Sequence, residues 1–281
     1  MIKLNIFTGR LLISNKARNI MVISRQAILA PCVVCLCALS VGWMQSPRLQ
    51  GLLKNKKNIP LATLEREIQV EKLRLNLLKK TPAFGYDNLM ANWAYLNFLQ
   101  YFGDDDVRAR TGYSLSPEYF EVIIERDPRF LGTYISLSTS ISLYAGMPER
   151  SIALMQKGLK SLKPQVPEKS YYVWRYKGID ELLFLGKAQA SQQSFTTAAD
   201  WASKYTDEES KYVALTSLRT ANFLRQNPNS TYAQISTWGM ILSNPIDNAT
   251  RKRAISAIEK LGGKVVTTSE GLNQIIFPPK D

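Results

Sequence analysis

Residues 117–164 read PEYFEVIIERDPRFLGTYISLSTSISLYAGMPERSIALMQKGLKSLKP, and the prolines at 117, 128, 148 and 164 set the reading of the fold. Proline lacks a backbone N–H and biases the preceding residue away from helical backbone, so each one opens or ends a helix. Ser116-Pro117-Glu118 is an N-cap with proline at the first helical position, which predicts a helix over Pro117–Arg126 that stops at Asp127-Pro128. Phe130–Tyr144 reads as the next helix, stopped by Ala145-Gly146-Met147-Pro148. Glu149–Leu162 reads as a third, stopped by Lys163-Pro164. Pro128 and Pro164 are 36 residues apart and enclose two helices.

The same period extends in both directions. Leu64, Ile68, Leu75 and Leu78 form one stripe, predicting a stalk helix over 61–80 that ends at Thr81-Pro82. Asp87–Phe102 reads as an aromatic-rich helix closed by Gly103, followed by an acidic loop, Asp104-Asp105-Asp106. Further helices are expected at Ser170–Leu185, Ala188–Tyr205, Asp207–Gln226, Thr231–Leu242 and Ala249–Leu261. The tail, 264–281, has two short β-prone runs, Val265–Thr268 and Ile275–Phe277, which allow a small hairpin or an extended cap. The expected class is all-α. Its parts are a basic tail (1–26), an apolar segment (27–44), a basic linker (45–60), a helical domain (61–263) and the C-terminal tail.

Composition narrows the chemistry. The 281 residues include no histidine, which excludes Ser-His and Cys-His nucleophile pairs and His-ligated metals. The three cysteines, Cys32, Cys35 and Cys37, all fall in the apolar segment, so no disulfide framework spans the fold. The net charge of +13 is uneven: residues 1–57 hold nine Lys and Arg and no acid, whereas the rest holds 27 bases against 23 acids. The body therefore lacks the basic stripe of a nucleic-acid binder, and no nucleic-acid partner is expected. No Gly-rich phosphate loop and no G-x-S-x-G occurs.

Residues 27–44 carry no charge, and the uncharged run extends from Gln26 to Pro47. At about 1.5 Å per residue, such a helix crosses a hydrocarbon core of about 30 Å. Two readings stand: an uncleaved signal anchor, and a signal peptide cut after Ser40 at Ala38-Leu39-Ser40. Under the anchor reading the chain is a single-pass membrane protein with its body in a periplasm or lumen. Five bases precede the run and four follow it, so the positive-inside rule barely discriminates. Lys54, Lys56 and Lys57 are placed to meet anionic headgroups or simply to solvate the linker.

Tyr119–Pro128 resembles the second helix of a tetratricopeptide repeat, with an aromatic eight residues before a helix-ending proline. The next unit matches with Tyr134 at the large position, Leu137 and Ser138 after it, and Ile141 where tyrosine is usual. Its second helix offers Ser151, Met155 and Gly158-Leu159, with Pro164 one residue late. The resemblance implies a right-handed α–α superhelix that binds a protein or peptide. The chain also resembles bacterial membrane-anchored, tetratricopeptide-like proteins in which an aromatic helix like 84–104 precedes the repeats. Related anchored proteins in photosynthetic bacteria assist photosystem assembly, an analogy of architecture alone.

Candidate sites follow from residue types. Glu118, Glu121 and Glu125 share a helix face, either as paired carboxylates of a hydrolase or glycan-processing accessory, or as a solvated face. Asp104–Asp106 lacks the spacing of a calcium loop. On the aromatic helix, Asn88, Asn92, Tyr95 and Leu99 share one stripe, and Leu89, Trp93, Leu96 and Phe102 lie near the opposite one. Asn side chains on the first helices of a solenoid can clamp a peptide backbone. Asn88, Asn92, Tyr95, Arg126, Arg129 and Tyr134 are therefore the expected protein-binding groove, or else core and interhelical bridges. No cofactor or metal is expected.

Overall fold

The computed structural model describes residues 33–46, 59–228, 231–244, 246–267 and 273–279. It divides into two units, Met1–Lys56 and Lys57–Asp281. In the first, residues 33–46 form a helix, α1. Among the described residues no helix is long and apolar enough to cross a membrane. Residues 27–32 of the predicted span, all of the basic tail and residues 47–58 of the predicted linker lie outside the described residues.

The second unit is mostly helical. Its order is α2 (Leu61–Lys80), α3 (Asp87–Phe102), α4 (Asp105–Thr111), α5 (Ser116–Arg126), α6 (Thr133–Leu137, continuing as a π-helix over Ser138–Tyr144), α7 (Pro148–Leu159), α8 (Tyr171–Leu183), α9 (Ala188–Ala202), α10 (Glu208–Gln226), α11 (Thr231–Leu242) and α12 (Asn248–Lys260). The hairpin β1 (Lys264–Thr267) and β2 (Asn273–Ile276) closes the chain, antiparallel, with Val265 opposite Ile275. Neighbouring helices pack in series: α3 on α5, the π-helix on α7, α7 on α8, α8 on α9, α9 on α10, α11 on α12.

The main core gathers around α5. Phe120, Val122, Ile123 and Ile124 are buried there with Leu75, Ala94, Phe98, Tyr134, Leu137, Ile141 and Met155. Phe98 meets Phe120 edge-on at 4.6 Å. Tyr134 has no exposed surface; its hydroxyl donates to the Pro128 carbonyl at 2.6 Å. Gly158 makes room for it, since a Cβ there would lie 1.8 Å from the phenol oxygen.

Two local structures differ from the sequence reading. Asp105 and Asp106 do not form a loop but open α4, where carboxylates stabilise the positive end of the helix; Arg108 and Arg110 balance the other end. The expected helix Phe130–Tyr144 begins only at Thr133, and its second half is π-helical. The widened turns show in Ala145 N–H donating to the Ser140 carbonyl, five residues back.

Candidate functional site

The six groove residues separate in the structure. Asn88 and Asn92 are exposed on α3, and the Asn88 carboxamide accepts from the N–H of Leu89 at 2.9 Å. Tyr95 is half-buried. Its hydroxyl pairs with Ser136 at 3.0 Å, and its ring meets Phe130 edge-on at 5.4 Å. It therefore bridges α3 to α6. Arg129 is exposed. Arg126 is committed elsewhere: it donates to the carbonyls of Leu78 and Lys79 at 2.9 Å and of Thr81 at 2.5 Å, and to Asp87 at 2.9 Å. One guanidinium thus satisfies the open end of α2 and holds the first-turn acid of α3. Tyr134, enclosed against Gly158, offers a partner no surface. The set accordingly divides into two exposed asparagines and an arginine, one bridging tyrosine, and two structural residues.

The carboxylate face of α5 is also tied into the fold. Glu118 is buried and takes Arg150 at 3.2 Å. Glu121 takes Arg150 at 2.5 Å and Lys79 at 2.6 Å. Burial pushes the Glu121 carboxyl up, but the hydrogen bonds from Lys79 and Arg150 outweigh it and hold the group below the usual range. A general acid for glycoside cleavage needs the opposite shift. Only Glu125 stays exposed, paired with Lys157 at 3.1 Å.

A large concavity lies where α4, the loop after the π-helix and the start of α12 meet. It encloses about 920 Å³. Phe102, Tyr113 and Tyr144 wall it with ring centroids 5.0–5.1 Å apart. Asp105, Asp247, Arg108 and Arg253 supply charge. Arg108 is buried, stacks 3.9 Å over Tyr101 and donates to the Gly112 carbonyl at 3.0 Å, while its Nε has no partner among the described residues. Arg253 caps the π-helix through the carbonyls of Leu143 and Tyr144. Gly146, at φ +70°, lets that guanidinium approach; a Cβ would lie 3.0 Å from its central carbon. Asp247 caps α12, accepting from the N–H groups of Ala249 and Thr250 at 2.8 and 3.0 Å.

Burial pushes the Tyr113 phenol up to about 12, with Asp247, Tyr144 and Asp105 adding to the rise. Tyr144 is raised by burial and then by Asp247 and Asp105. Both phenols are neutral at ordinary pH and offer hydroxyls beside ring faces. This wall presents aromatic surface, neutral hydroxyls and charges of both signs. Sequence reasoning missed it because its lining comes from residues 102–114, 144–147 and 246–253. The only local cue was the pair of acids at the start of α4.

A second buried polar group lies between the π-helix, α7 and α8. Asp180 accepts from Ser138 at 2.7 Å, Ser142 at 2.5 Å and Ser151 at 2.7 Å. Burial pushes its carboxyl up to about 6 against the three hydroxyls, and Glu181 adds to the rise. Nearby, Lys177, Glu181 and Ser194 close a buried hydrogen-bonded triangle. Both clusters are self-contained. Among the described residues no group of His, Cys, Asp and Glu is placed to hold a metal ion. The chain matches no protein-family model, no curated protein and no solved structure.

Proposed function

We propose that the helical unit is a binding scaffold, built from tetratricopeptide-like helix pairs and tethered to a membrane by residues 27–44, that holds a segment of another protein. The observation that carries this is the 920 Å³ cleft with its three-ring wall. Rigid aromatic side chains backed by fixed charges are what a bound peptide uses as anchors. The cleft is rimmed by helix ends, α4 and α12; Asp105 lies in the first turn of α4, and Asp247, the cap of α12, is held by backbone N–H groups and not left to reorganise on binding. In plan this is the arrangement of an assembly factor: a soluble-facing scaffold kept at the membrane where its client is inserted.

The test is recovery of the partner. Full-length protein, solubilised in detergent and cross-linked, is expected to lose at least about tenfold in specific recovery when Tyr113 and Tyr144 are both changed to Ala, as removing two interface anchors costs about 1–2 kcal/mol or more. The melting curve of the variant, followed in parallel, must keep its cooperative shape. Unchanged recovery with an intact fold would remove the cleft as the binding site.

A further inference from the structure

α2 and α3 each have two apolar sides, and the fold uses only one of them. On α2 the core stripe is Leu64, Ile68, Leu75 and Leu78. A second stripe, displaced by two residues and hence on the far side, runs Arg66, Val70, Leu73, Leu77 and Lys80 at i, i+4, i+7, i+11, i+14. All five are exposed, Leu73 at 64%. On α3 the core stripe is Ala91, Ala94 and Phe98, and the outer one is Leu89, Trp93 and Leu96, again exposed, Leu96 at 59%. The Arg74 guanidinium, next in sequence to Leu73, lies 4.4 Å over the Trp93 ring and links the two helices on this side. Between the helices Phe84 is 86% exposed at the tip of a turn, with φ at +49°, a backbone state unfavourable to a bulky side chain. A helix apolar on every side is normally enclosed. Here both helices leave their second side uncovered.

We infer that the outer face of α2 and α3 lies on an anionic bilayer surface, with Val70, Leu73, Leu77, Leu89, Trp93 and Leu96 sunk among the headgroups. The inference rests on the anchor reading of residues 27–44. Three observations select lipid as the occupant. First, only residues 48–60 separate the uncharged run from α2, a reach of at most about 45 Å when fully extended, so α2 begins within that tether of any membrane that the run crosses. Second, the charge is of the right sign. The outer stripe of α2 carries Arg66 and Lys80 and no acid, the linker carries Arg48, Lys54, Lys56 and Lys57 and no acid, and the one acid of α3, Asp87, is paired with Arg126. Third, Phe84, Tyr86 and Trp93 are exposed beside aliphatic residues, the mixture that settles at a membrane interface.

The experiment uses the full chain with Cys32, Cys35 and Cys37 replaced by Ser. An environment-sensitive fluorophore is placed at Leu73→Cys, Leu96→Cys or, on the remote helix α10, Lys211→Cys. Each protein is reconstituted into vesicles of phosphatidylcholine and phosphatidylglycerol, with or without lipid bearing a shallow doxyl quencher. The probes at 73 and 96 are expected to shift to the blue and to lose roughly half their emission to the quencher, as groups sunk about 5–10 Å would. The probe at 211 should do neither. Replacing phosphatidylglycerol by phosphatidylcholine should reduce the quenching. Probes at 73 and 96 as water-exposed as that at 211, in a chain that resists alkaline washing, would overturn this inference and leave the anchor standing. Shielding without quenching would mean that protein covers the face, and overturns it as well. A chain that washes off the vesicles removes both readings.

Discussion

α3 is richer in large apolar side chains than α5, yet α5 is the one that the structure encloses. α5 is enclosed along its length: Tyr119, Phe120, Val122, Ile123 and Ile124 are all buried, and its three glutamates are all paired with bases of α2 or α7. α3 buries Ala91, Ala94 and Phe98 against α5 and leaves Leu89, Trp93 and Leu96 uncovered. The difference lies in position. α5 has α2, α3 and α7 as neighbours, whereas α3 has its outer side at the edge of the unit. Hydrophobicity alone marks a helix that wants a cover; it does not tell whether the cover belongs to the same chain.

The enclosed region should fail first when its packing is opened. Tyr134→Ala removes a fully buried ring and strands the Pro128 carbonyl, and a loss of about 3–5 kcal/mol is expected, read as a lowered melting temperature. Gly158→Ala gives a sharper check. Alanine normally stabilises a helix interior by about 1 kcal/mol relative to glycine. Here the added methyl meets Tyr134, so the sign should reverse, to a cost of about 1–3 kcal/mol. A stabilised Gly158→Ala variant would show that α6 and α7 do not pack this closely.

An effect of at most similar size should appear through pH at Asp180, in the same enclosed region. Its folded carboxyl titrates at about 6, above the unfolded value of about 3.9, because burial disfavours the charge. Between those values the folded chain binds the proton and the unfolded chain does not. Asp180 therefore weakens the fold progressively as pH rises from about 4 to about 6, by up to about 3 kcal/mol, and adds no further change above that. Asp180→Asn removes the titration. Denaturant unfolding of the two proteins at pH 4 and pH 7 should show the native chain losing ground relative to the variant on going to the higher pH. A constant difference would mean that the carboxyl ionises at its ordinary pH.

Helix ends were the most legible feature of the sequence, because proline, glycine and capping groups act on their own neighbours. α2, α3 and α11 have the expected bounds, Asp207 caps α10 through the N–H of Ser210, and the β-prone tail forms a hairpin. Roles set by distant residues were not legible. Arg126 could not be recognised as a staple without the end of α2, more than forty positions away. Tyr134 and Tyr95 are both tyrosines on apolar helices, yet Gly158 lies against only the first. The π-turn was hidden too: Ser138 and Ser142 reach the same carboxylate on α8, a partner outside their own helix. The cleft joins three segments spread over about half of the chain, and only α4 had a local signature.

The smallest effect on stability is expected at the outer face of α3. Leu96 is 59% exposed and opposite the core stripe, so Leu96→Ser removes little buried surface. Serine is a slightly poorer helix former than leucine, by a few tenths of a kcal/mol. The total should stay within about 0.5 kcal/mol. Phe98→Ser, two residues along and facing Phe120, should be incomparably worse: it empties a ring-sized volume and buries a hydroxyl. Thermal melting of both variants in a mild detergent tests the two-sidedness of the helix directly. A Leu96→Ser variant that melts well below the native protein would show that this face is packed within the fold. The contrast between α5 and α3 would then disappear, and with it the reason to seek an external cover for α3.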